Sequence, residues 1–428
     1  MTQPLQTVKG TKDILPHETP RWRFVESRAQ DVLARYGYRE IRTPIYEATE
    51  LFARGIGETT DIVGKEMFSF DDRGGRHVTL RPENTAGVVR AYIQHKLYTQ
   101  PAPQKYWYFG PMFRAENVQA GRQRQFHQLG VECLAAPDPC WDAESIAMAA
   151  HFLAELGLKP LDAWQLQVNS VGCDGCRPAY RDALQLFLRS CQADLCPDCR
   201  VRTERNPLRV LDCKVPACRS QLHQAPLVDT AWCNDCRQAF AQVEEFLTAA
   251  GVPFTHNPRL VRGLDYYSRT VFEFIACGDR LGAQSTLCAG GRYDALVADL
   301  GGPASPAVGW ALGVERLLLV LGTELPGAQP PVAVLVTPPG TPFSETFRLA
   351  CSLRSWGLSV EMAPGGKLER QFKLAERLGV PFALVVGEAE LAAGEVILKN
   401  LTTRSQQRVL ISRDALRAAL TSSLQEVQ

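Results

Sequence analysis

Between positions 260 and 273 the chain reads Leu-Val-Arg-Gly-Leu-Asp-Tyr-Tyr-Ser-Arg-Thr-Val-Phe-Glu, the stretch richest in groups that could do chemistry. Arg262 carries a fixed fork of donors matched to carboxylate and phosphate oxygens. Tyr266 and Tyr267 each offer a ring for packing and a hydroxyl for hydrogen bonding. Gly263 permits a tight turn ahead of a strand-like run over 270–275. Taken alone, the segment is better read as a strand with snorkelling edge residues. Three other constellations favour a binding site.

The first is a hairpin, with extended runs at 106–114 and 125–132 joined by a polar loop at 117–122. Period-two alternation puts Phe126, Gln128, Gly130 and Glu132 on one face, and His127, Leu129 and Val131 on the other. An amide, a glycine and a carboxylate make a poor core face but a good floor for a small polar ligand. A solvated sheet face is the alternative, and His127 reads as a satisfied histidine more than as a base. The second is Thr-Leu-Arg-Pro-Glu-Asn-Thr at 79–85, where Glu83 and Thr85 follow a strand end and suit an ammonium group. Glu83 there also complements the dipole of a helix N-terminus. The third is Ala-Val-Gly-Trp-Ala-Leu-Gly-Val-Glu-Arg at 307–316, where Gly309 and Gly313 let a planar group approach the backbone. Arg316 then opens an apolar helix whose N-terminal end favours anions. Neither a P-loop nor a dinucleotide-binding glycine fingerprint is present, and nothing resembles a nucleophile triad.

Cysteine forms a further set. Cys173/Cys176, Cys196/Cys199 and Cys233/Cys236 are Cys-x-x-Cys pairs, and Cys213/Cys218 is a wider one. Two pairs can close a tetrahedral thiolate site for zinc. Cys196 and Cys199 with Cys213 and Cys218 have the spacing of a small zinc knuckle. Cys173, Cys176, Cys233 and Cys236 then form a second site or stay reduced. Four thiolates leave no open position, so such zinc is structural. Cys133, Cys140, Cys277, Cys288 and Cys351 read as small apolar residues.

These residues must be held by more than one domain, because 428 residues exceed what one core supports. A hydrophobic content of 45% with 22% charged residues is that of an ordinary globular protein. The net charge of +1 excludes a broadly basic nucleic-acid coat but not a local RNA-binding patch. Positions 1–15 lack the pattern of a secretory signal, and no apolar run is long enough to span a membrane, so a cytoplasmic protein is expected. Fourteen cysteines without a signal argue against a disulfide scaffold. Helical spacing runs over 19–36 and 141–156, and strand-like runs recur at 41–45, 78–81, 271–275 and 307–312. Strands with few intervening helices imply an α+β domain, an antiparallel sheet flanked by helices, over 1–325. A helical, Cys-rich insertion interrupts it at 171–250. A Pro/Gly-rich linker at 323–331 leads to strands alternating with helices over 332–428, the pattern of a small α/β domain with a mostly parallel sheet.

Along nearly its whole length the chain resembles histidyl-tRNA synthetases, a family of class II aminoacyl-tRNA synthetases. Val-Lys-Gly-Thr-Lys-Asp-Ile-Leu-Pro at 8–16 is similar to that family's N-terminal segment, and 37–47, centred on Pro44, to its dimer-forming class motif. The Phe-Arg-Ala-Glu at 113–116 with Arg-Gln-Phe-His-Gln-Leu-Gly-Val-Glu at 124–132 is similar to the second class motif, and 309–316 to the third. The 260–273 segment and Ala-Gly-Gly-Arg-Tyr-Asp at 289–294 look like the two histidine-binding segments, which mark this specificity within the class.

The resemblance implies ATP-dependent attachment of L-histidine to its tRNA through a histidyl-adenylate, with Mg²⁺ on the nucleotide and a homodimer as the working form. Arg114 and Arg316 would hold the triphosphate, with adenine between Phe126 and Arg316. Glu83, Thr85 and Gln128 would hold the histidine amino group. Glu132 and Tyr267 would read the imidazole nitrogens, with Tyr266 and Tyr293 lining the pocket, and Arg262 would activate the α-phosphate. Asn117, Gln119 and Arg122 would meet the tRNA acceptor end. Lys367, Arg370, Lys373, Lys399, Arg404 and Arg408 are anticodon-side candidates, although basic residues are mostly solvated surface. Many family members have polar residues where the cysteine pairs stand, so metal there is not required by the reaction. A histidine-sensing regulatory relative that does not charge tRNA is the competing reading. Such proteins typically lack the C-terminal domain or the arginines at 114, 262 and 316, all present here.

Overall fold

The computed structural model describes residues 4–57, 60–278, 281, 285–322, 332–363 and 366–425. The chain divides into two compact units, Met1–Leu325 and Pro326–Gln428. The linker expected at 323–331 lies outside the described residues.

Among the described residues of the first unit, eight strands form one sheet. Their order is Arg39–Glu40, Gln104–Phe113, Gln125–Leu134, Ala307–Gly313, Thr286–Arg292, Ser268–Ala276, Trp164–Ser170 and Thr255–His256. Every pairing is antiparallel except those of the two edge strands. The expected hairpin is a continuous ladder from Gln104↔Leu134 to Phe113↔Gln125. Residues 41–45 are not strand; strands lie on either side of them, Arg39–Glu40 and Tyr46–Ala48. Tyr46–Ala48 joins His77–Leu80 and Phe68–Asp71 in a small second sheet.

Helix Thr19–Arg35 starts with proline in its first turn and buries Val25, Ala29, Val32 and Leu33. That i, i+4, i+7, i+8 spacing puts one apolar stripe on the helix. It joins helix Pro139–Glu155 and one sheet face in the main core, which includes Ile146, Phe152, Leu129, Val131 and Phe272. The other sheet face, with Tyr106, Tyr108 and Tyr293, carries the polar floor foreseen for the hairpin.

The cysteine-rich segment folds as short helices, Arg177–Ser190, Pro197–Arg205 and Pro216–Leu222, around its own small core of Tyr180, Leu184, Leu188 and Val210. Helix Asn234–Ala249 then returns the chain, burying Phe240, Val243 and Leu247 in the main core.

In the second unit the strand order is Val360–Met362, Ala333–Val336, Phe382–Val385, Glu395–Asn400 and Gln406–Leu410. The first three strands are parallel, but the last two are antiparallel, so the sheet is mixed where the alternation pointed to a mostly parallel one. The cause is local. A short helix, Glu388–Ala393, ends at Gly394 in a left-handed conformation, and a tight turn at 401–405 folds 406–410 back beside 395–400. The edge strand exposes all but Val409, so its sequence lacks an apolar signal.

Candidate active site

Glu132, Tyr267, Arg114 and Arg262 line one cavity above the polar sheet face, together with Glu83, Thr85, Phe126, Gln128, Tyr266, Tyr293 and Arg316. Sheet pairing brings this about. Glu132 lies opposite Tyr106 on one side and Gly309 on the other, while Gly291 lies opposite Val271.

At one end sits the Glu132 carboxylate, 1% exposed. The Thr85 hydroxyl donates to it at 2.7 Å and the Tyr108 hydroxyl at 3.4 Å, and the Tyr293 hydroxyl donates to its other oxygen. Burial outweighs these three donors and pushes its pKa up to about 8. Glycine at 309 is obligatory for this placement, because a Cβ there would overlap the carboxylate and the Val131 carbonyl. The Tyr266 ring meets the rings of Tyr267 and Tyr293 at centroid distances of 4.7 and 5.5 Å. Tyr267 is buried, which raises its pKa to about 12 and keeps its hydroxyl a donor.

Of its two expected parts Glu83 takes the one at the helix terminus, since its carboxylate accepts the backbone N–H groups of Thr85 (2.7 Å) and Ala86 (3.0 Å) at the start of helix Thr85–Gln94. Gln128 Oε1 is buried without a hydrogen-bond partner among the described residues, an acceptor facing the cavity and open to a donor.

The other end is cationic. Arg114 donates from Nε to the Pro82 carbonyl at 2.9 Å and stands over the Phe126 ring, 5.2 Å from its centroid. Arg316 is fixed by the carbonyls of Gly121 (3.0 Å) and Thr286 (3.1 Å). Arg262 pairs with Glu273 at 3.2 Å. Arg122 pairs with the buried Glu116, which also lies 3.8 Å from Arg114. Burial, then the charges of Arg122 and Arg114, lower the pKa of Arg316 to about 10. Burial likewise lowers Arg114. Arg262 is half-buried, but Glu273 and other neighbours hold its pKa above the ordinary value. Four guanidiniums that disfavour one another are relieved by a polyanion.

Several supporting groups went unnoticed in the sequence. Tyr108 faces Gly130 across the hairpin, so the ladder register alone would have put it on the polar face. Glu116 closes the Phe-Arg-Ala-Glu run, and Glu273 closes the 260–273 segment. Arg292, beside Tyr293, is locked by Asp142 through Nη2 at 2.6 Å, and Thr270 donates to the same carboxylate at 2.6 Å. His127 is indeed a supporting group: its ring and its backbone N–H both meet the Glu315 carboxylate at 2.9 Å.

Of the loop residues expected at an acceptor end, Asn117 and Gln119 are exposed, whereas Arg122 is drawn into the cavity wall by Glu116. In the second unit Lys367, Arg370 and Arg404 are exposed. Lys399 places its ammonium 5.0 Å from the Phe372 ring centroid, while Lys373 and Arg408 pair with Glu369 and Glu395.

The cysteines gather into two groups of four, Cys173, Cys176, Cys233 and Cys236, and Cys196, Cys199, Cys213 and Cys218. Within each group all sulfurs lie within 4.8 Å of one another. Of the five remaining cysteines outside the insertion, only Cys133 and Cys288 are buried like apolar residues; Cys140 and Cys351 are exposed and Cys277 is half-buried.

The Histidyl-tRNA synthetase family model matches residues 10–173 and 207–317, and the Anticodon binding domain model matches 333–422. The histidine–tRNA ligase of Trichlorobacter lovleyi is 49% identical over 97% of this chain and 98% of its own length. That of Synechococcus elongatus is 51% identical over 94% of this chain and 92% of its own. The crystal structure of apo histidyl-tRNA synthetase from S. aureus superposes with a TM-score of 0.80 at 36% identity, covering 98% of this chain and 99% of that one. With both of the expected histidine-binding segments inside the matched residues, the chain belongs to the histidyl-tRNA synthetase family of class II aminoacyl-tRNA synthetases.

Proposed function

We infer that the chain charges histidine tRNA in this cavity, in the cytoplasm, by two successive transfers. In the first, the histidine carboxylate attacks the α-phosphorus of ATP, the bond to the bridging oxygen breaks, and pyrophosphate leaves. In the second, a hydroxyl of the tRNA's terminal ribose attacks the acyl carbon of the histidyl-adenylate and AMP leaves. The observation that carries this reading is one cavity lined both by the buried Glu132 carboxylate with its tyrosines and by four arginines.

Glu132 and the Tyr267 hydroxyl take the two ring nitrogens of histidine, with Tyr266 and Tyr293 as walls. Gln128 Oε1 accepts from the substrate ammonium, and Thr85 and Glu83 complete that corner. Arg114 and Arg316 bind the phosphates, and Phe126 stacks with adenine, which slides between its ring and Arg316. Arg262 faces the α-phosphate, where charge develops as the pentavalent state forms, so catalysis is positioning plus charge stabilisation without a protein base. Magnesium bound with ATP would supply positive charge to the phosphates beside Arg114 and Arg316. Arg122 belongs with the nucleotide side, leaving Asn117 and Gln119 for the acceptor end of tRNA and Lys367, Arg370, Lys399 and Arg404 for the anticodon side. The exposed Ile45 and Tyr46 within the 37–47 motif are apolar surface suited to a homodimer contact.

Each four-cysteine group is read as a structural zinc site. Four sulfurs bound at the usual Zn–S length of about 2.3 Å lie roughly 3.8 Å apart. The pairs Cys173–Cys176, Cys173–Cys233, Cys176–Cys236 and Cys196–Cys213 are separated by 3.6, 4.0, 3.8 and 4.0 Å. Those separations are far beyond a disulfide bond of about 2.05 Å. In each group a backbone N–H, of Cys233 and of Cys196, donates to a ligand sulfur at 3.1 Å, as thiolates require.

ATP–pyrophosphate exchange measured with each of the twenty amino acids tests the activity. Histidine alone should support exchange, and exchange with another amino acid, or with none, would overturn the reading. Gly309→Ala should raise the histidine KM by roughly tenfold or more, the usual ~1–3 kcal/mol of overpacking, while leaving the KM for ATP unchanged. An unaltered histidine KM would mean that Glu132 does not touch the substrate.

A further inference from the structure

We propose that the metal of the Cys173–Cys176–Cys233–Cys236 group is a clasp that positions the histidine-binding segment, so that its loss is felt in histidine binding and not in ATP binding. The proposal rests on zinc occupying that group, and the experiment below separates the two claims.

The group stands where the insertion joins the catalytic sheet. Cys173 and Cys176 follow strand Trp164–Ser170 directly, and Cys233 and Cys236 begin the returning helix Asn234–Ala249. A single metal there joins the chain entering the insertion to the chain leaving it, some sixty positions later in the sequence. The turn between strand and cysteines is tight, since Gly172 has φ +76° and a Cβ on it would press on the Cys176 Cβ at 2.9 Å.

What this turn holds is the backbone just beyond the two pocket tyrosines. Val171 N–H donates to the Arg269 carbonyl at 2.7 Å, and Arg269 N–H donates to the Gly172 carbonyl at 2.8 Å. Arg177, next to Cys176, donates to the Tyr267 carbonyl. On the exit side Trp232, next to Cys233, donates its indole N–H to the Ser170 carbonyl at 3.0 Å. Arg269 itself has φ +52°, a left-handed backbone that a non-glycine residue keeps only where its surroundings over-determine it. Each of those determinants is within a few residues of a metal-binding cysteine.

Apart from Arg262, which lies in the 260–273 segment and is aimed by Glu273, the nucleotide end is held by different elements. Arg114 and Phe126 are on the hairpin and its flanks, and Arg316 is on helix Val314–Leu321. Their hydrogen bonds run to Pro82, Gly121 and Thr286, none of them in the insertion. A clasp at the insertion root therefore predicts a split effect, which a general loss of folding would not give.

The test uses the full-length protein with zinc counted by mass spectrometry of the metal and KM values measured by pyrophosphate exchange. Wild type should carry two zinc ions per chain and Cys233→Ser one. The variant should show a histidine KM raised about tenfold or more, as expected when a charge-assisted positioning bond is lost, with the KM for ATP within twofold. Cys233→His, which restores a zinc ligand, should recover both zinc and the histidine KM. If Cys233→Ser proves insoluble, Arg177→Leu keeps both metal sites, cuts the tie to Tyr267, and should raise the histidine KM alone. A wild type without zinc would end the metal reading itself. Loss of one zinc with both KM values unchanged, or with both raised alike, would overturn the clasp while leaving the metal in place.

Discussion

Replacing Arg262 by histidine lowers kcat for histidine-dependent pyrophosphate exchange by roughly 10²–10³, the usual effect of removing a preorganised transition-state donor, while histidine affinity changes little. The guanidinium is half-buried and directed by Glu273, so it is aimed before substrate arrives and needs no reorganisation as charge develops on the α-phosphate. An imidazole at the same backbone position is shorter and cannot span both Glu273 and a phosphate oxygen. Rapid-quench measurement of adenylate formation, together with equilibrium binding of histidine, separates the two quantities. Equal losses in rate and in histidine binding would contradict a role confined to the transition state. Residual Glu273, left without its partner, would be an added burden on stability, and a thermal melt of the variant controls for it.

Glu132→Ala should abolish histidine activation to the limit of the assay. A site built around a buried carboxylate and a phenol is left with unpaired groups by any side chain lacking ring nitrogens, a mismatch that discriminates by ~10⁴ or more. Alanine removes the carboxylate and strands the hydroxyls of Thr85, Tyr108 and Tyr293 that now point at it. Exchange that persists with histidine would refute the assignment. The same residue carries a pH signature in the free protein. Its pKa rises from an ordinary 4.5 to about 8, so the native state holds a proton that the unfolded chain releases. Its contribution to stability is therefore complete below the ordinary value and is lost as pH climbs through about 8. Glu132→Gln, which cannot ionise, should flatten the fall in stability over that window.

The polar pocket was legible in the sequence wherever the signal was local. Alternation along 125–132 placed Gln128 and Glu132 on one face, and pairing in the sheet put that face under Tyr293 and Gly309. Cysteine spacing pointed to the Cys196–Cys199–Cys213–Cys218 group, because a Cys-x-x-Cys turn already presents two ligands to one point; the second group was left open, since its two pairs are about sixty residues apart and meet only through the fold. What stayed hidden depended on partners distant in sequence. Glu116 reads as an exposed loop acid until Arg122 folds over it, and Arg122 reads as a free basic side chain for the same reason. Glu273 looks like a strand residue facing solvent until Arg262 and Thr286 meet it. In the second unit, 406–410 has no apolar period to reveal a strand, because an edge strand with only Val409 buried needs none.

Specificity and activation are thus assigned to opposite ends of one cavity, joined by the length of a histidyl group and an α-phosphate. A crystal structure with ATP and histidinol, which has the ring and ammonium of the substrate but no carboxylate to react, measures that arrangement directly. The account predicts the imidazole within hydrogen-bond distance of Glu132 and Tyr267, the ammonium beside Gln128, and the α-phosphate against Arg114 and Arg262. An imidazole bound away from Glu132, or an α-phosphate out of reach of Arg262, would contradict it.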